Sequence, residues 1–275
     1  MAKDSTIKVK EIRLEPIKAP AAIAFIKKHH YSGKVVNNSQ LHFGAFHGGR
    51  LLGVMSFGPP MDKSKVIGLV EGTGWNEMVE LNRMAFSDVL PHNSESRCIG
   101  VAMRLLKKHC PHVKWVLSYS DASQCGDGTI YRAAGFLLTQ INPNKSLLRL
   151  PGGEVIAQIS ITANMLGSSN TEAARLARKY GVEITGKSSL QPWLDAGAVT
   201  IPGYQLRYVC ILDKTARLTV PVLPYSAIDE MEAGMYKGEK VTVSERKSTC
   251  AGSSVVERPT SSGEVRGSNP TSALS

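Results

Sequence analysis

The stretch from Val79 to Ile141 decides the fold, because it contains Arg97-Cys98-Ile99-Gly100-Val101-Ala102 and, further on, Tyr131-Arg132-Ala133-Ala134-Gly135-Phe136. The first motif follows an apolar segment and opens a periodic one, which predicts a strand, a turn and a helix N-terminus. Gly100 would let a ligand approach unpaired backbone N–H groups there, and such groups favour anionic oxygens. The second motif predicts a short helix that ends at Gly135 and continues into an apolar strand.

Around these motifs the chain alternates between strands and helices. Pro20 predicts a helix start and places His30 and Tyr31 at the C-terminal end of that helix. The strand that ends at Tyr119 brings Asp121 to its carboxyl end, where ligands bind in open α/β sheets. The predicted strands are Lys8 to Pro16, a hairpin of Leu41 to Phe46 and Leu51 to Phe57, Glu77 to Ser87, Val113 to Tyr119, Phe136 to Ile141 and Tyr204 to Leu212.

The composition favours one large domain with a polyanionic partner. A chain of 275 residues, 42% of them hydrophobic, can bury a full core. Lys and Arg outnumber Asp and Glu by 33 to 23, a formal charge of +10 that favours phosphate contacts, although many basic proteins never touch nucleic acid. The five cysteines lack a C-x-x-C pattern, which is typical of reduced intracellular thiols. Without a leader or a bilayer-spanning run, we expect a cytoplasmic protein with no membrane association.

A long segment, 145–202, separates the strand at Phe136 from the strand at Tyr204. It contains a helix from Thr171 to Tyr180, capped by Asn170-Thr171 and stopped by Gly181. The polar face of this helix carries Arg175, Arg178 and Lys179. The segment is either an insertion that contacts DNA through these three residues or a solvated amphipathic helix.

The paired motifs resemble the GNAT fold of N-acetyltransferases. In that fold the acyl-CoA pyrophosphate loop reads R/Q-x-x-G-x-G/A, and the next helix reads Y-x-x-x-G-F. The resemblance implies a mixed central sheet flanked by helices, here with an insertion before the last strands. It also implies that Arg97, Gly100 and Ala102 bind the cofactor, and that Tyr131 lies near the leaving sulfur.

Further segments narrow the resemblance to the Mom proteins of Mu-like bacteriophages, from about Ile12 to Tyr225. This resemblance implies conversion of DNA adenine to N6-carbamoylmethyladenine, which shields phage DNA from host restriction, in the cytoplasm of the bacterial host. It also implies that the active-site residues are His30, Tyr31, Ser96, Asp121 and Tyr131. The segments are His29-His30-Tyr31-Ser32-Gly33, Glu80-Leu81-Asn82-Arg83-Met84, Asn93-Ser94-Glu95-Ser96-Arg97, Trp115-Val116-Leu117-Ser118-Tyr119-Ser120-Asp121 and Pro202-Gly203-Tyr204-Gln205-Leu206-Arg207-Tyr208.

The proposed chemistry needs a base, because the lone pair of adenine N6 is delocalised into the ring. Asp121 is the candidate base, and its alternative role is a helix cap or turn aspartate. Tyr131 is alternatively a core tyrosine. His30 could act in acid–base chemistry, and its helix C-terminus would favour the protonated form. Together with Asp121 it could hold iron or another divalent ion, although no local ligand pair supports this.

The substrate and the donor leave alternatives open. Reaction on double-stranded DNA predicts an extruded adenine, stacked on Tyr31, Tyr119 or Trp75. The donor could be acetyl-CoA, a glycine derivative or a glycyl carrier. Two other functions compete: a CoA-dependent N-acetyltransferase for a protein or small amine, and a non-catalytic DNA-binding protein that blocks restriction. A homodimer is possible in each case.

The C-terminal part differs in composition, which predicts a domain at 1–225 and a flexible tail at 226–275. Gly267-Ser268-Asn269-Pro270 and Val255-Val256-Glu257-Arg258 are what the T-arm and D-arm of a tRNA gene encode in one frame. We therefore hypothesise that residues 253–275 are translated tRNA-gene sequence, as at a prophage attachment site.

Overall fold

The computed structural model describes residues 6–30, 32–121, 126–158, 160–161, 171–183, 189–236 and 239–240. Its main sheet contains strands β1 to β8, at Arg13–Pro16, Leu41–His47, Arg50–Gly58, Met78–Phe86, Trp115–Asp121, Leu137–Arg149, Val155–Ala157 and Val199–Ile211. A small second sheet pairs β9, Met235–Tyr236, with β10, Glu239–Lys240. Helices α1 to α7 lie at Ala19–His29, Lys63–Val66, Ser94–His109, Thr129–Ala133, Glu172–Tyr180, Gln191–Asp195 and Ala227–Glu230. None of the described helices is long and apolar enough to cross a membrane.

The main sheet is mixed and has the strand order β1-β2-β3-β4-β5-β8-β6-β7. Strands β1 to β4 are antiparallel, β4 and β5 are parallel, and β8 lies between β5 and β6. Helix α3 makes the crossover that a parallel pair requires. This mixed sheet flanked by helices confirms the predicted fold class.

Different elements cover the two faces of the sheet. On one face α3 and α4 pack over the main core, where Ile99, Ala102 and Tyr208 are fully buried. On the other face α1 packs through Ile26 against β3 and β4, and residues 63–70 cover Trp115. Both faces are therefore apolar, as in a sheet enclosed between two layers.

Strands β4 and β5 separate before they end. They pair only from Met78 opposite Trp115 to Leu81 opposite Ser118, although β4 continues to Phe86. The Ser118 hydroxyl donates to the Leu81 carbonyl (3.2 Å) at the last pair. The sheet is therefore open between the carboxyl ends of its two parallel strands, where ligands bind in open α/β sheets.

Several predictions of local structure are confirmed. Helix α1 has Pro20 in its first turn and ends at His29, with His30 as its C-cap. The predicted hairpin is β2–β3, and Gly48 and Gly49 in its turn have positive φ, which glycine adopts without steric cost. The strands predicted around Glu77 to Ser87 and Val113 to Tyr119 are β4 and β5, within two residues at each end.

The predicted helix start at the Arg97 motif is wrong. Helix α3 begins at Ser94, so Gly100 lies well inside it, where its N–H belongs to the helical ladder. The N-cap Asn93 adopts a left-handed conformation (φ 67°) and makes no side-chain capping hydrogen bond. Asparagine is a residue type that favours the N-cap, so the sequence does carry a signal at Asn93, four residues before the Arg97 motif.

The insertion is shorter than predicted and has its own core. Strands β6 and β8 extend into it and pair as far as Arg149 opposite Val199, so the segment between them is 150–198. A second apolar cluster, with Leu176 and Trp193 buried at its centre, holds the segment together. The predicted caps of α5 are confirmed: the Thr171 hydroxyl accepts from Ala174 N (3.1 Å), and Gly181 is left-handed.

The folded domain extends beyond the predicted boundary at residue 225. Ile228 in α7 and Ala233 after it are buried in the main core, with 3% and 0% exposure. The predicted tail therefore cannot begin at 226. Residues 241–275, which include the suspected tRNA-derived segment 253–275, lie outside the described residues.

Candidate active site

Polar side chains gather where β4 and β5 separate, on the face opposite α3. Glu80 is in register with the buried Leu117, and Tyr119 is in register with Arg207. Because residues two apart on a strand share a face, Glu80, Tyr119 and Arg207 lie side by side. All three are partly exposed. We call this group, with His30 and Arg83, the acceptor cluster.

Glu80 is a carboxyl group with an unusual environment. Burial raises the pKa of Glu80 to about 7, and the charge of Arg83 opposes the rise. A carboxyl group with this pKa is present in both protonation states near neutral pH. Glu80 therefore has the acid–base property that proton removal from a weak nucleophile requires.

His30 is a neutral histidine, contrary to the expectation from its helix C-terminus. Burial and the charge of Arg83 lower the pKa of His30 to about 4. The backbone N–H of Ser32 donates to His30 Nδ1 (3.1 Å), and the Ser32 hydroxyl also lies 2.8 Å from it. The hydrogen is thereby assigned to Nε2. His30 can donate from Nε2, but it is a poor base at neutral pH.

The two arginines of the acceptor cluster are held by neutral groups. Arg83 donates from Nε to the Lys34 carbonyl (3.1 Å) and from Nη1 to the Asn82 carbonyl (2.9 Å). Arg207 donates from Nε to Thr139 Oγ1 (3.0 Å). Within the described part of the chain, neither guanidinium lies in an ion pair. The cluster therefore has a surplus of positive charge.

The bulge in β4 contains a buried amide with an open hydrogen-bonding position. Asn82, at 9% exposure, follows the last residue of β4 that pairs with β5. Its Oδ1 lies 2.9 Å from the Ser39 hydroxyl, and its Nδ2 is the one buried side-chain atom without a partner among the described residues. Since the Ser39 hydroxyl also reaches the Val36 carbonyl with its single hydrogen, a flipped amide fits as well. Either orientation leaves one end of the amide unpartnered.

The opposite face of the sheet carries Tyr131 and helix α3. Tyr131, at 7% exposure, packs against Tyr208 and Phe136, with ring centroids 5.2 and 5.5 Å away. Ser96 is partly exposed and donates to the Asn93 carbonyl (3.2 Å), whereas Ser94 is fully buried. His30 and Asp121 therefore lie on the face of the sheet that carries the acceptor cluster, whereas Ser96 and Tyr131 belong to the elements on the opposite face.

The predicted cofactor residues do not form a pyrophosphate loop in this structure. Arg97 donates to the carbonyls of Lys10 and Ile12 (both 3.1 Å) rather than facing the opening. Gly100 is inside α3, and Ala102 is fully buried. Glu95 adds a carboxyl group in the first turn, where an anion would bind.

The other predicted site residues lie in different settings. Asp121 is the last residue of β5, opposite Gln205, on the face of Tyr119. Tyr31 lies outside the described residues. Trp75 is 59% exposed but precedes the amino end of β4, so it is remote from the opening. Across the described ranges, no group of three possible metal ligands occurs, and metal binding by His30 and Asp121 remains a prediction.

The basic helix α5 offers less charge than its sequence suggests. Arg175, Arg178 and Lys179 are all exposed. Lys179 Nζ, however, lies 2.5 Å from a carboxylate oxygen of Glu154. The insertion approaches the acceptor cluster through Ser160, whose hydroxyl accepts from Lys34 Nζ (2.9 Å) after α1.

Sequence reasoning did not identify Glu80 or Arg207 as site residues, although both lie in quoted segments. One signal was available: each is an isolated charge within an apolar strand, and such a charge is costly unless it is used or paired. Their proximity depends on the pairing of β5 with both β4 and β8, which the sequence does not specify.

A sheet that opens at the carboxyl ends of its parallel strands, with a carboxyl group of raised pKa beside that opening, suits the active site of an α/β enzyme. A family model described as the Mom protein family matches residues 11–227. The chain belongs to this family. Its relatives include "Methylcarbamoylase mom" of Escherichia phage Mu, which is 40% identical over 209 residues, covering 76% of this chain and 78% of that protein.

Acetyltransferases are among the solved structures that resemble the chain. The Bacillus subtilis acetyltransferase in complex with CoA has 11% identity and a TM-score of 0.39, covering 73% of this chain and 98% of its own. The ribosomal-protein-S18-alanine N-acetyltransferase from Escherichia coli has 9% identity and a TM-score of 0.39, covering 74% and 94%.

Proposed function

We propose that this protein converts adenine N6 in double-stranded DNA to N6-carbamoylmethyladenine, and that the product protects the DNA from restriction. The name of the phage Mu relative supports the transferred group, and the formal charge of +10 supports a DNA substrate. The observation that carries the proposal is Glu80, a carboxyl group with its pKa raised to about 7 at the opening of the sheet. The reaction would take place in the cytoplasm of the bacterial host.

In this proposal the acceptor cluster binds the extruded adenine. Glu80 accepts the N6 proton as the bond to the transferred group forms, since its pKa suits proton transfer near neutral pH. His30 donates a hydrogen bond from Nε2 to a ring nitrogen of the base, and Tyr119 lies beside the base. Asp121, at the rim of the opening, orients the amine or receives the proton from Glu80.

The donor would bind on the α3 side, with Tyr131 next to the leaving group. A CoA donor would supply an activated thioester, but Arg97 is bound to two carbonyls and Glu95 shares the first turn of α3. The described residues do not fit a pyrophosphate in this arrangement, so we assign no step to CoA. A carbamoylmethyl transfer balances with a glycine-derived acetamide that carries a leaving group on its methylene carbon: the N6–CH2 bond forms, the bond from CH2 to the leaving group breaks, and the N6 proton goes to Glu80. A glycyl carrier also supplies the two carbons and the nitrogen, but N6 attack on its carbonyl releases the carrier and gives an N6-glycyl amide, which must still rearrange.

The insertion would hold the DNA beside the opening, since Ser160 contacts the segment that follows α1. Its exposed Arg175 and Arg178 would contact phosphates. A homodimer and a divalent metal at His30 and Asp121 are further possibilities, and neither is required by the scheme.

Nucleoside mass spectrometry of DNA from expressing cells tests the proposal. We expect an adenine species heavier by one carbamoylmethyl group, and much less of it in Asp121→Ala, because that variant lacks the carboxylate that orients the amine or receives the proton from Glu80. An N6-glycyl product has the same mass but is an amide, so hydrolysis distinguishes it. A gain of one acetyl group, or restriction protection without a new species, would contradict the proposal.

A further inference from the structure

Arg207 is a charged residue at the centre of the main sheet. It lies on β8, between Tyr119 on β5 and Gln140 on β6. Its neighbours along β8, Leu206 and Tyr208, are fully buried. A guanidinium in this position loses hydration, which lowers its pKa from the ordinary value, yet an arginine keeps its charge. The cost of this burial implies a compensating interaction.

The described residues do not supply that compensation. Arg207 donates from Nε to Thr139 Oγ1 (3.0 Å) and from Nη2 to the Thr139 carbonyl (3.4 Å), both neutral acceptors. In the part of the chain that the structure describes, no carboxylate pairs with Arg207 and its Nη1 makes no hydrogen bond. Thr139 fixes the guanidinium on one side and leaves Nη1 for a ligand.

We propose that Arg207 binds a phosphate oxygen adjacent to the adenine that the enzyme modifies. The inference rests on the proposed function, and it names how the site distinguishes a nucleotide within DNA from a free base. Nη1 is the end of the guanidinium that Thr139 leaves open, and a charge-assisted hydrogen bond from it to a phosphate oxygen would offset the hydration that partial burial removes. Tyr119, its register partner, places this contact beside the base and Glu80.

Duplexes with one neutral methylphosphonate test the contact. The neutral group replaces, in turn, the phosphates on the 5′ and 3′ sides of the target adenine, and modification is measured with the full chain and with Arg207→Gln. With the full chain we expect one replacement to lower kcat/KM by about 10- to 100-fold, the effect of losing a charged hydrogen bond. Arg207→Gln should lower kcat/KM on natural DNA by a similar factor. On the duplex with the sensitive methylphosphonate, Arg207→Gln and the full chain should have the same kcat/KM.

Two controls separate binding from folding. Arg13→Gln removes an arginine that is 72% exposed and paired with Glu15 on β1, so it should retain sensitivity to the neutral phosphate. Arg207→Lys keeps the charge and should recover part of the rate on natural DNA. If Arg207→Gln does not fold, the same comparison of natural and methylphosphonate duplexes is made with Arg207→Lys.

The outcomes distinguish the two proposals. Arg207 does not bind that phosphate if the full chain modifies DNA equally well with every neutral phosphate. The same conclusion follows if the substitution and the neutral phosphate each lower kcat/KM and their effects multiply. In both cases the proposed function stands. If nucleoside mass spectrometry of DNA from cells that express the full chain shows no modified adenine, both proposals are wrong.

Discussion

Replacing Glu80 with glutamine should abolish modification and at the same time stabilise the protein above neutral pH. Glutamine keeps the shape of the side chain and removes its charge. Loss of a positioned base should lower the rate roughly 10²–10⁴-fold. The inflection of the pH–rate profile near the Glu80 pKa of about 7 should disappear with it.

The stability change follows from the direction of the pKa shift. The folded pKa of about 7 lies above the ordinary value of 4.5, so the folded protein holds the proton where the unfolded chain has lost it. The free energy of unfolding therefore falls as pH rises from 4.5 to 7, by about 3 kcal/mol at 1.36 kcal/mol per unit. Glu80→Gln should lack this decrease, so its advantage grows with pH and is absent at pH 4.5.

Urea denaturation of both proteins across this pH range measures the difference. Glu15→Gln is the matched control, since Glu15 is a strand carboxylate with 50% exposure. If the free energies of unfolding of the full chain and Glu80→Gln change in parallel with pH, the pKa of Glu80 is not raised by burial. An active Glu80→Gln enzyme would refute its role as the base.

Further variants test three other parts of the structure. Tyr131→Phe keeps the ring packing, so turnover should fall while the protein still folds, and an unchanged rate would make Tyr131 a core residue only. Charge removal at Arg175 should flatten the salt dependence of DNA binding by about one unit. Removal at Lys179 should do less, because that ammonium is paired within the insertion, and equal effects would contradict this. A chain that stops after residue 240 should fold, whereas a stop after 225 removes Ile228 and Ala233 from the core, so similar urea midpoints for the two would contradict their packing.

The regular elements were predictable because their signals are local. The β2–β3 hairpin follows from apolar runs around Gly48 and Gly49, and the ends of α5 follow from Thr171 and Gly181. The start of α3 was predicted too late, because the motif at Arg97 indicated a start there, although Asn93, a residue type that favours the N-cap, directly precedes the observed start.

The candidate site was only partly predictable, for a different reason. His30 and Asp121 follow from the ends of an identified helix and strand. The protonation of His30 was predicted in the wrong direction, because burial and Arg83 outweigh the helix C-terminus. Glu80 and Arg207 gain their properties from burial and from pairing with β5, which arise only in the folded sheet.

The continuity of β6 and β8 gives the protein a spacer of fixed length. The two strands run from the main sheet into the insertion without a linker, and their one irregularity in that region lies between Asn144 and Leu147. From Gln205, level with the end of β5, to Val199 the ribbon advances six residues, or about 20 Å at 3.3 Å each. A flexible linker would let the insertion move relative to the main sheet, whereas the paired strands β6 and β8 fix its distance from the opening. A ligand bound by the insertion would therefore be held at a fixed distance from the opening of the sheet.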